Sequence, residues 1–236
     1  MDITLVIPAY NEEAMIAATL EAAIKHSRGK FKEIIVVDNA STDKTADVAA
    51  RYHGVRVVRE ARKGLTSARQ AGFEAATSEL LAYIDADTHL TPQWIDIIER
   101  EFINHPDIVS LSGPRRYFGS SWWRRWILNA FWGSAPIAYR LAGFMVFGGN
   151  FVVKRDALQK IDGFDRTIEF YGEDTDLARR LSAVGKTRFR MDFYVYSSTR
   201  RFEYEGIFKV NMVYALNFLW PVLFHRPFTK KAQDVR

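Results

Sequence analysis

The chain predicts an α/β fold, a mostly parallel sheet flanked by helices, on three observations. Across residues 3–113, short β-branched runs alternate with amphipathic helical segments, the pattern of βαβ units. Apolar residues make up 48% of the 236, enough for a substantial core, and 26% are charged, which excludes a disordered chain. Polar and acidic residues gather where the apolar runs end, and parallel sheets bind ligands beyond the carboxyl ends of their strands.

In order, strands are expected at Ile3–Ile7, Ile34–Val37, Val55–Val58, Leu80–Ile84 and Ile108–Leu111. A first helix, near Glu12–Lys25, places Ile16, Leu20, Ala23 and Ile24 on one face. The second runs from a Ser41/Thr42/Asp43 cap to Gly54 with Val48, Ala49 and Tyr52 inward, and the third covers Thr66–Ala76. A fourth opens with Thr91 as N-cap and Pro92 at the first helical position. Phe144–Phe147 reads as strand-like, and Glu173-Asp174 opens a helix with Leu177, Leu181 and Val184 inward. Residues 114–147 hold four of the six tryptophans, Trp122, Trp123, Trp126 and Trp132, among Arg115, Arg116, Arg124, Arg125 and Arg140.

Three acidic clusters follow strands: Tyr10-Asn11-Glu12-Glu13, Asp38 to Asp43, and Asp85-Ala86-Asp87. An Asp-x-Asp pair at a sheet edge offers hard oxygen ligands suited to Mn²⁺ or Mg²⁺ with a phosphorylated substrate. A net charge of +5 favours anionic partners such as nucleoside diphosphates or acidic membrane. With no cysteine, disulfides and thiolate metal sites are excluded. Met1-Asp2-Ile3-Thr4 lacks the features of a signal peptide, so the expected location is cytoplasmic, at the inner face of the cell membrane if the aromatic segments bind lipid.

Pro8-Ala9-Tyr10-Asn11-Glu12, Val37 to Asp43, Lys63-Gly64 with Arg69, Asp85-Ala86-Asp87, Gly148-Gly149-Asn150, Gly163-Phe164-Asp165 and Glu173-Asp174 occur in the order of a family 2 glycosyltransferase, which the chain resembles over residues 3–201. The resemblance implies a Rossmann-like GT-A fold and inverting transfer of a single sugar from a nucleoside-diphosphate sugar, UDP- or GDP-linked, to an acceptor hydroxyl. It implies a catalytic domain over 1–201, with a nucleotide-binding half 1–113 and an acceptor-side half 114–201, followed by a helical apolar and basic tail over 202–236.

By the same resemblance, Pro8, Ala9, Tyr10, Glu12 and Asp38 contact base and ribose. Arg69 reaches the nucleotide or diphosphate, Asp85 with Ala86 lies toward ribose, and Asp87 ligates the metal. Asp174 is the general base, oriented by Glu173, while Gly148, Gly149 and Asn150 approach the sugar and acceptor. Several have a structural alternative: an Asx-turn for Asp38, a helix cap for Asp174, a solvated arginine for Arg69, a β-bulge for the glycines; Asp43 reads first as a helix cap and second as a ligand contact.

Two departures stand out. Ala178-Arg179-Arg180-Leu181-Ser182 lacks the Gln/Arg-x-x-Arg-Trp of processive members, which argues against polymer synthesis. Where many relatives place a metal-binding histidine, this chain has Ser197-Ser198-Thr199-Arg200-Arg201, and Arg200 and Arg201 can hold the diphosphate themselves. The Trp/Arg segment within 114–147 and the apolar stretch 207–228 suggest peripheral membrane contact and a lipid-linked acceptor, or else a helix packed on the sheet or a dimer contact. A sugar-phosphate nucleotidyltransferase would need a Gly-rich basic signature after strand one, which Pro8 to Glu13 does not supply. A nucleic-acid module would group its cations in a base-reading motif, and here they are interspersed.

Overall fold

A computed structural model describes residues 1–118, 121–168 and 172–206, with 210, 212, 213 and 216; the side chains of Arg124, Phe131, Arg201, Glu203 and Glu205 lie outside the described set. The first half alternates as expected: β1 (Ile3–Ala9), α1 (Ile16–Ser27), β2 (Phe31–Asp38), α2 (Thr45–Ala49), β3 (Val55–Arg59), α3 (Leu65–Ala75) and β4 (Leu80–Ile84). Then follow β5 (Thr88–His89), α4 (Trp94–Asn104), β6 (Ile108–Ser112), β7 (Arg115–Phe118), α5 (Trp122–Phe131) and α6 (Ala135–Ala142). The last elements are β8 (Asn150–Lys154), α7 (Arg155–Lys160), α8 (Glu173–Ser182), β9 (Lys186–Phe189), β10 (Val195–Ser198) and α9 (Arg200–Glu205).

Seven strands form one sheet in the order β3-β2-β1-β4-β8-β6-β9, parallel except for β8, which runs antiparallel to both β4 and β6. The halves 1–113 and 114–201 therefore share a single sheet, since β8 and β9 from the second are paired into the first. All seven residues of β1 are buried, as expected of a strand covered on both faces. Its alternation sends Ile3, Leu5 and Ile7 into one core layer with Ile16, Leu20 and Trp94, and Val6 into the opposite layer with Tyr83, Phe151 and Leu177.

Several local expectations change. α1 begins at Ile16 because the Glu12 carbonyl accepts the Met15 and Ile16 N–H groups in a preceding turn. Its inner face includes Thr19, whose hydroxyl donates to the Ala86 carbonyl at 2.7 Å, while Ile24 is exposed. α4 begins at Trp94, so Thr91 is no N-cap; its carbonyl accepts the Trp94 N–H and its hydroxyl donates to the Tyr194 carbonyl. Phe144–Phe147 makes no ladder, and β8 starts only after a turn in which the Asn150 N–H bonds the Phe147 carbonyl. The stretch 207–228 falls almost wholly outside the described residues.

Candidate active site

β1, β2 and β4 are parallel neighbours, so their carboxyl ends open on one edge, and the strand order turns there between β2-β1 and β4. Glu12, Asp38 and Asp85-Ala86-Asp87 all follow those ends. β8 runs the other way, with Asn150 opposite Ile84, so its entry turn Gly148-Gly149 reaches the same edge.

The loops after β1 and β2 are laced together. Asn11 donates its N–H to Ser41 Oγ and accepts the Thr42 N–H, and Glu13 accepts the Lys44 N–H. Asn11 and Ala40 take positive φ, 51° and 60°, as this tight exchange requires. Asp38 is buried, and its carboxylate accepts the Ser41 N–H at 3.2 Å, so the Asx-type turn forms. Asn39, within the Val37 to Asp43 motif, is the knot of this edge. Its side chain accepts the Gly64 N–H and donates to the Glu60 and Arg62 carbonyls, holding the third loop against the first two. That brings Lys63 Nζ to 3.9 Å from the centre of the Tyr10 ring. Glu12 is buried with Arg200, whose Nη2 donates to both carboxylate oxygens at 2.8 and 2.9 Å.

Arg69 is the most altered expectation. It is 1% exposed, so it is neither a solvated helix arginine nor open to a diphosphate. Nη2 donates to the Gly148 carbonyl at 2.8 Å, Nη1 to Glu173 Oε1 at 3.3 Å, and Asp85 Oδ1 lies 4.0 Å away. One guanidinium thus lies between the acid pair after β4 and the acid pair opening α8. A Cβ on Gly148 would come 2.7 Å from Arg69 Nη2, and one on Gly149 would come 2.5 Å from Asp85 Oδ2. These close approaches of side-chain ends, and not a β-bulge, favour the absence of a Cβ at the two glycines.

Asp174 accepts the Thr175 N–H at 2.8 Å and the Gly148 N–H at 3.4 Å, so the Gly148 peptide is held between Arg69 and Asp174. Burial raises the Asp174 carboxyl above the usual carboxylate range. Glu173, its side chain 9% exposed, is pushed up to about 7 by burial and then by the Asp174 charge, against the lowering pull of Arg69. Asn150, expected near the sugar, is instead committed to the core: it accepts from Trp94 Nε1 and donates to the Gly113 and Phe193 carbonyls.

β5, β10 and β7 form a second small sheet that returns residues 195–200 to the acidic edge. Ser197 pairs with Thr88, and its hydroxyl lies 3.4 Å from Asp87 Oδ1. This contact had no signal in the sequence, because it depends on which strands pair. The Gly163-Phe164-Asp165 loop is seated on α3 through the Phe164 N–H to Gln70 Oε1, with the Phe164 ring edge-on to Tyr83. Among the described residues, no group of three or more His, Cys, Asp or Glu is placed to hold a metal by itself. Asp85 and Asp87 fit the other way of holding Mg²⁺ or Mn²⁺, one or two carboxylates completed by substrate phosphates.

The family model described as glycosyl transferase family 2 matches residues 4–162, and one described as N-terminal domain of galactosyltransferase matches 130–206. An uncharacterized glycosyltransferase of Mycobacterium tuberculosis is 38% identical over 139 residues, 59% of this chain and 59% of the relative. The undecaprenyl-phosphate 4-deoxy-4-formamido-L-arabinose transferase of Pseudomonas paraeruginosa is 36% identical over 134 residues, 52% of this chain and 38% of that one. The chain therefore spans well under two thirds of either relative. Among solved structures, a mannosyltransferase of Pyrobaculum calidifontis in complex with GDP-Man and Mn²⁺ shares the fold with a TM-score of 0.71 at 20% identity, over 92% of this chain and 62% of that one. Glucosyl-3-phosphoglycerate synthase of Mycobacterium tuberculosis, with Mn²⁺ and UDP, follows at 0.61 and 20%, over 94% and 78%. The expected GT-A fold is thus present, and, with the family match covering more than half of its residues, the chain belongs to glycosyl transferase family 2.

Proposed function

We propose that the protein transfers one sugar, with inversion, from a UDP- or GDP-linked donor to an acceptor hydroxyl on a lipid-linked molecule, with Asp174 as general base. The observation that carries this reading is the juxtaposition around Arg69: Asp85 on one side and Glu173-Asp174 on the other, at the carboxyl edge of the sheet. The nucleotide binds at the sheet edge beside Tyr10, Asp38 and the 60–64 loop, which Asn39 and the Lys63–Tyr10 contact hold together. Asp38 accepts a base N–H or ribose hydroxyl in a charge-assisted hydrogen bond, and Asp85 faces the ribose.

Asp87 would hold Mn²⁺ or Mg²⁺ together with the donor phosphates, and the metal when bound would supply Lewis-acid stabilisation of the diphosphate. Asp174 removes the acceptor proton as the acceptor oxygen bonds the anomeric carbon and the bond to the diphosphate breaks on the opposite face. A raised carboxyl suits this role, because a base is most effective with a pKa near the working pH. The complexes of the two structural neighbours, with GDP-Man or UDP and Mn²⁺, support the donor class. The undecaprenyl-phosphate relative supports a lipid-linked acceptor, and with it a cytoplasmic, membrane-apposed location.

A thermal-shift screen of UDP-, GDP- and dTDP-sugars with Mn²⁺ tests the reading, since a ligand that binds the folded state raises Tm by mass action. One nucleotide sugar should stabilise strongly and only with Mn²⁺ or Mg²⁺. No shift with any donor, under conditions where a family 2 control responds, overturns it.

A further inference from the structure

The α5 surface has no part in the donor site, yet its composition is unlike the rest of the protein. Trp122 and Trp126, four residues apart on one helix face, are 75% and 70% exposed. With Arg125, Asn129, Arg116 and Tyr196 they line an open groove of about 400 Å³. The opposite side of α5 is anchored, with Leu128 buried against Tyr117 and Phe202, so exposure of the tryptophans is not a sign of a loose helix.

Charge singles out one kind of partner. No acidic residue occurs between Asp107 and Asp156, in a chain with 28 of them, whereas Arg115, Arg116, Arg124, Arg125 and Arg140 all fall in that interval. Among the described residues, Arg116 and Arg125 form no ion pair; the Arg116 guanidinium instead stacks 3.7 Å over the Tyr194 ring. Tryptophan prefers the headgroup boundary of a bilayer, where its ring is apolar and its N–H remains hydrated. Arginines beside it are drawn to anionic headgroups. α5 is 10 residues long and carries Arg124 and Arg125, too short and too charged to span, so this contact lies on the surface of the bilayer.

We propose that α5 and the adjoining groove dock the protein on an anionic lipid membrane, with Trp122 and Trp126 entering the headgroup region and Arg116 and Arg125 facing lipid phosphates. Tyr196 and Ser197, the residue beside Asp87, are consecutive in β10, so the docking groove and the acidic edge adjoin the same short strand. The docking surface itself does not depend on the donor chemistry proposed above.

Co-sedimentation of the full chain with phosphatidylcholine vesicles, with and without phosphatidylglycerol, is the test. Binding should require phosphatidylglycerol and weaken with salt. Arg125→Gln should lower the partition coefficient about fivefold, the effect of one basic residue near a charged bilayer. Trp122→Ala with Trp126→Ala should lower it about tenfold or more. The tryptophan emission should shift to the blue on binding in the parent protein and much less in the double variant. The Mn²⁺-dependent Tm shift with donor, measured on the same variants, should be unchanged, which separates failure of docking from failure of the donor site. Equal binding to neutral vesicles, or full binding retained by the double variant, overturns the proposal. So does a dimer in light scattering that dissociates in the double variant, because the face is then covered by a second copy.

Discussion

Replacing Arg69 with methionine removes a buried charge while keeping a long apolar stem, and its cost depends on pH in a way the geometry dictates. With Glu173 protonated, the loss is that of hydrogen bonds to the Gly148 carbonyl and Glu173 in a dry site, about 1–3 kcal/mol. With Glu173 ionised, the variant leaves a buried carboxylate without its cation, which raises the cost to about 3–5 kcal/mol. The parent Glu173 titrates at about 7, above the ordinary 4.5, so it binds its proton more tightly folded than unfolded. Its stabilising contribution is complete below 4.5, is lost as pH rises toward 7, and changes no further above that. Without Arg69 the folded value moves higher still, and stability keeps falling above pH 7 by about 1.4 kcal/mol per pH unit. For a chain of this size the Tm difference between parent and variant should widen by about 3–6 °C per pH unit from pH 7. Differential scanning fluorimetry from pH 6 to pH 9 reads this directly. Adding Glu173→Gln to the variant should flatten the dependence. Parallel Tm curves for parent and Arg69→Met would refute the account of Arg69 as the counterion of a buried acid pair.

Three further outcomes follow from the same site. Asp174→Asn should retain donor binding by calorimetry yet slow single-turnover transfer by about 10²–10⁴-fold, the usual contribution of a general base; unimpaired transfer removes Asp174 from the mechanism. Gly149→Ala places a methyl 2.5 Å from Asp85 Oδ2. Because Asp85 is partly exposed and can yield, the variant should lose about 1–3 kcal/mol of stability in thermal denaturation and weaken nucleotide binding; parent-like donor affinity would show that Asp85 does not face the nucleotide. Asp87→Ala should abolish Mn²⁺-assisted nucleoside-diphosphate binding in isothermal titration, and unchanged affinity excludes the metal role.

The acidic edge was legible because period and punctuation place it: three of the five apolar runs end in acidic clusters, and parallel strands put those ends together. Elements of two to four residues were not legible. β5 and β10 have too few residues for a pattern, and they form because each completes the other's ladder. Their pairing is what carries Ser197 to Asp87. Burial of polar residues was also invisible. Asn150 sits in a glycine-rich motif that suggests an open ligand loop, yet its amide closes the junction between Trp94, Gly113 and Phe193. Arg69 carries the sequence signature of a helix cation, and only the fold supplies the Gly148 carbonyl and Glu173 carboxylate that accept from it where it is buried.

Those placements bear on how the diphosphate charge is balanced. Read from the sequence, Arg200 and Arg201 can hold the diphosphate themselves and make a metal less necessary, and Arg69 reaches the nucleotide or diphosphate. In the fold Arg69 is buried, with Asp85 Oδ1 4.0 Å away, and Arg200 Nη2 donates to both oxygens of the buried Glu12 in charge-assisted hydrogen bonds. Arg201's side chain lies outside the described residues. With two of the three arginines engaged, the balance shifts toward a divalent cation at Asp87. Enzyme stripped with EDTA should therefore lose transfer and regain it with Mn²⁺, while Arg200→Ala should lose stability more than turnover, because its main effect is on Glu12. Metal-stripped enzyme that still transfers sugar, together with an Arg200→Ala variant that is folded but inactive, would reverse this assignment and give the diphosphate to Arg200.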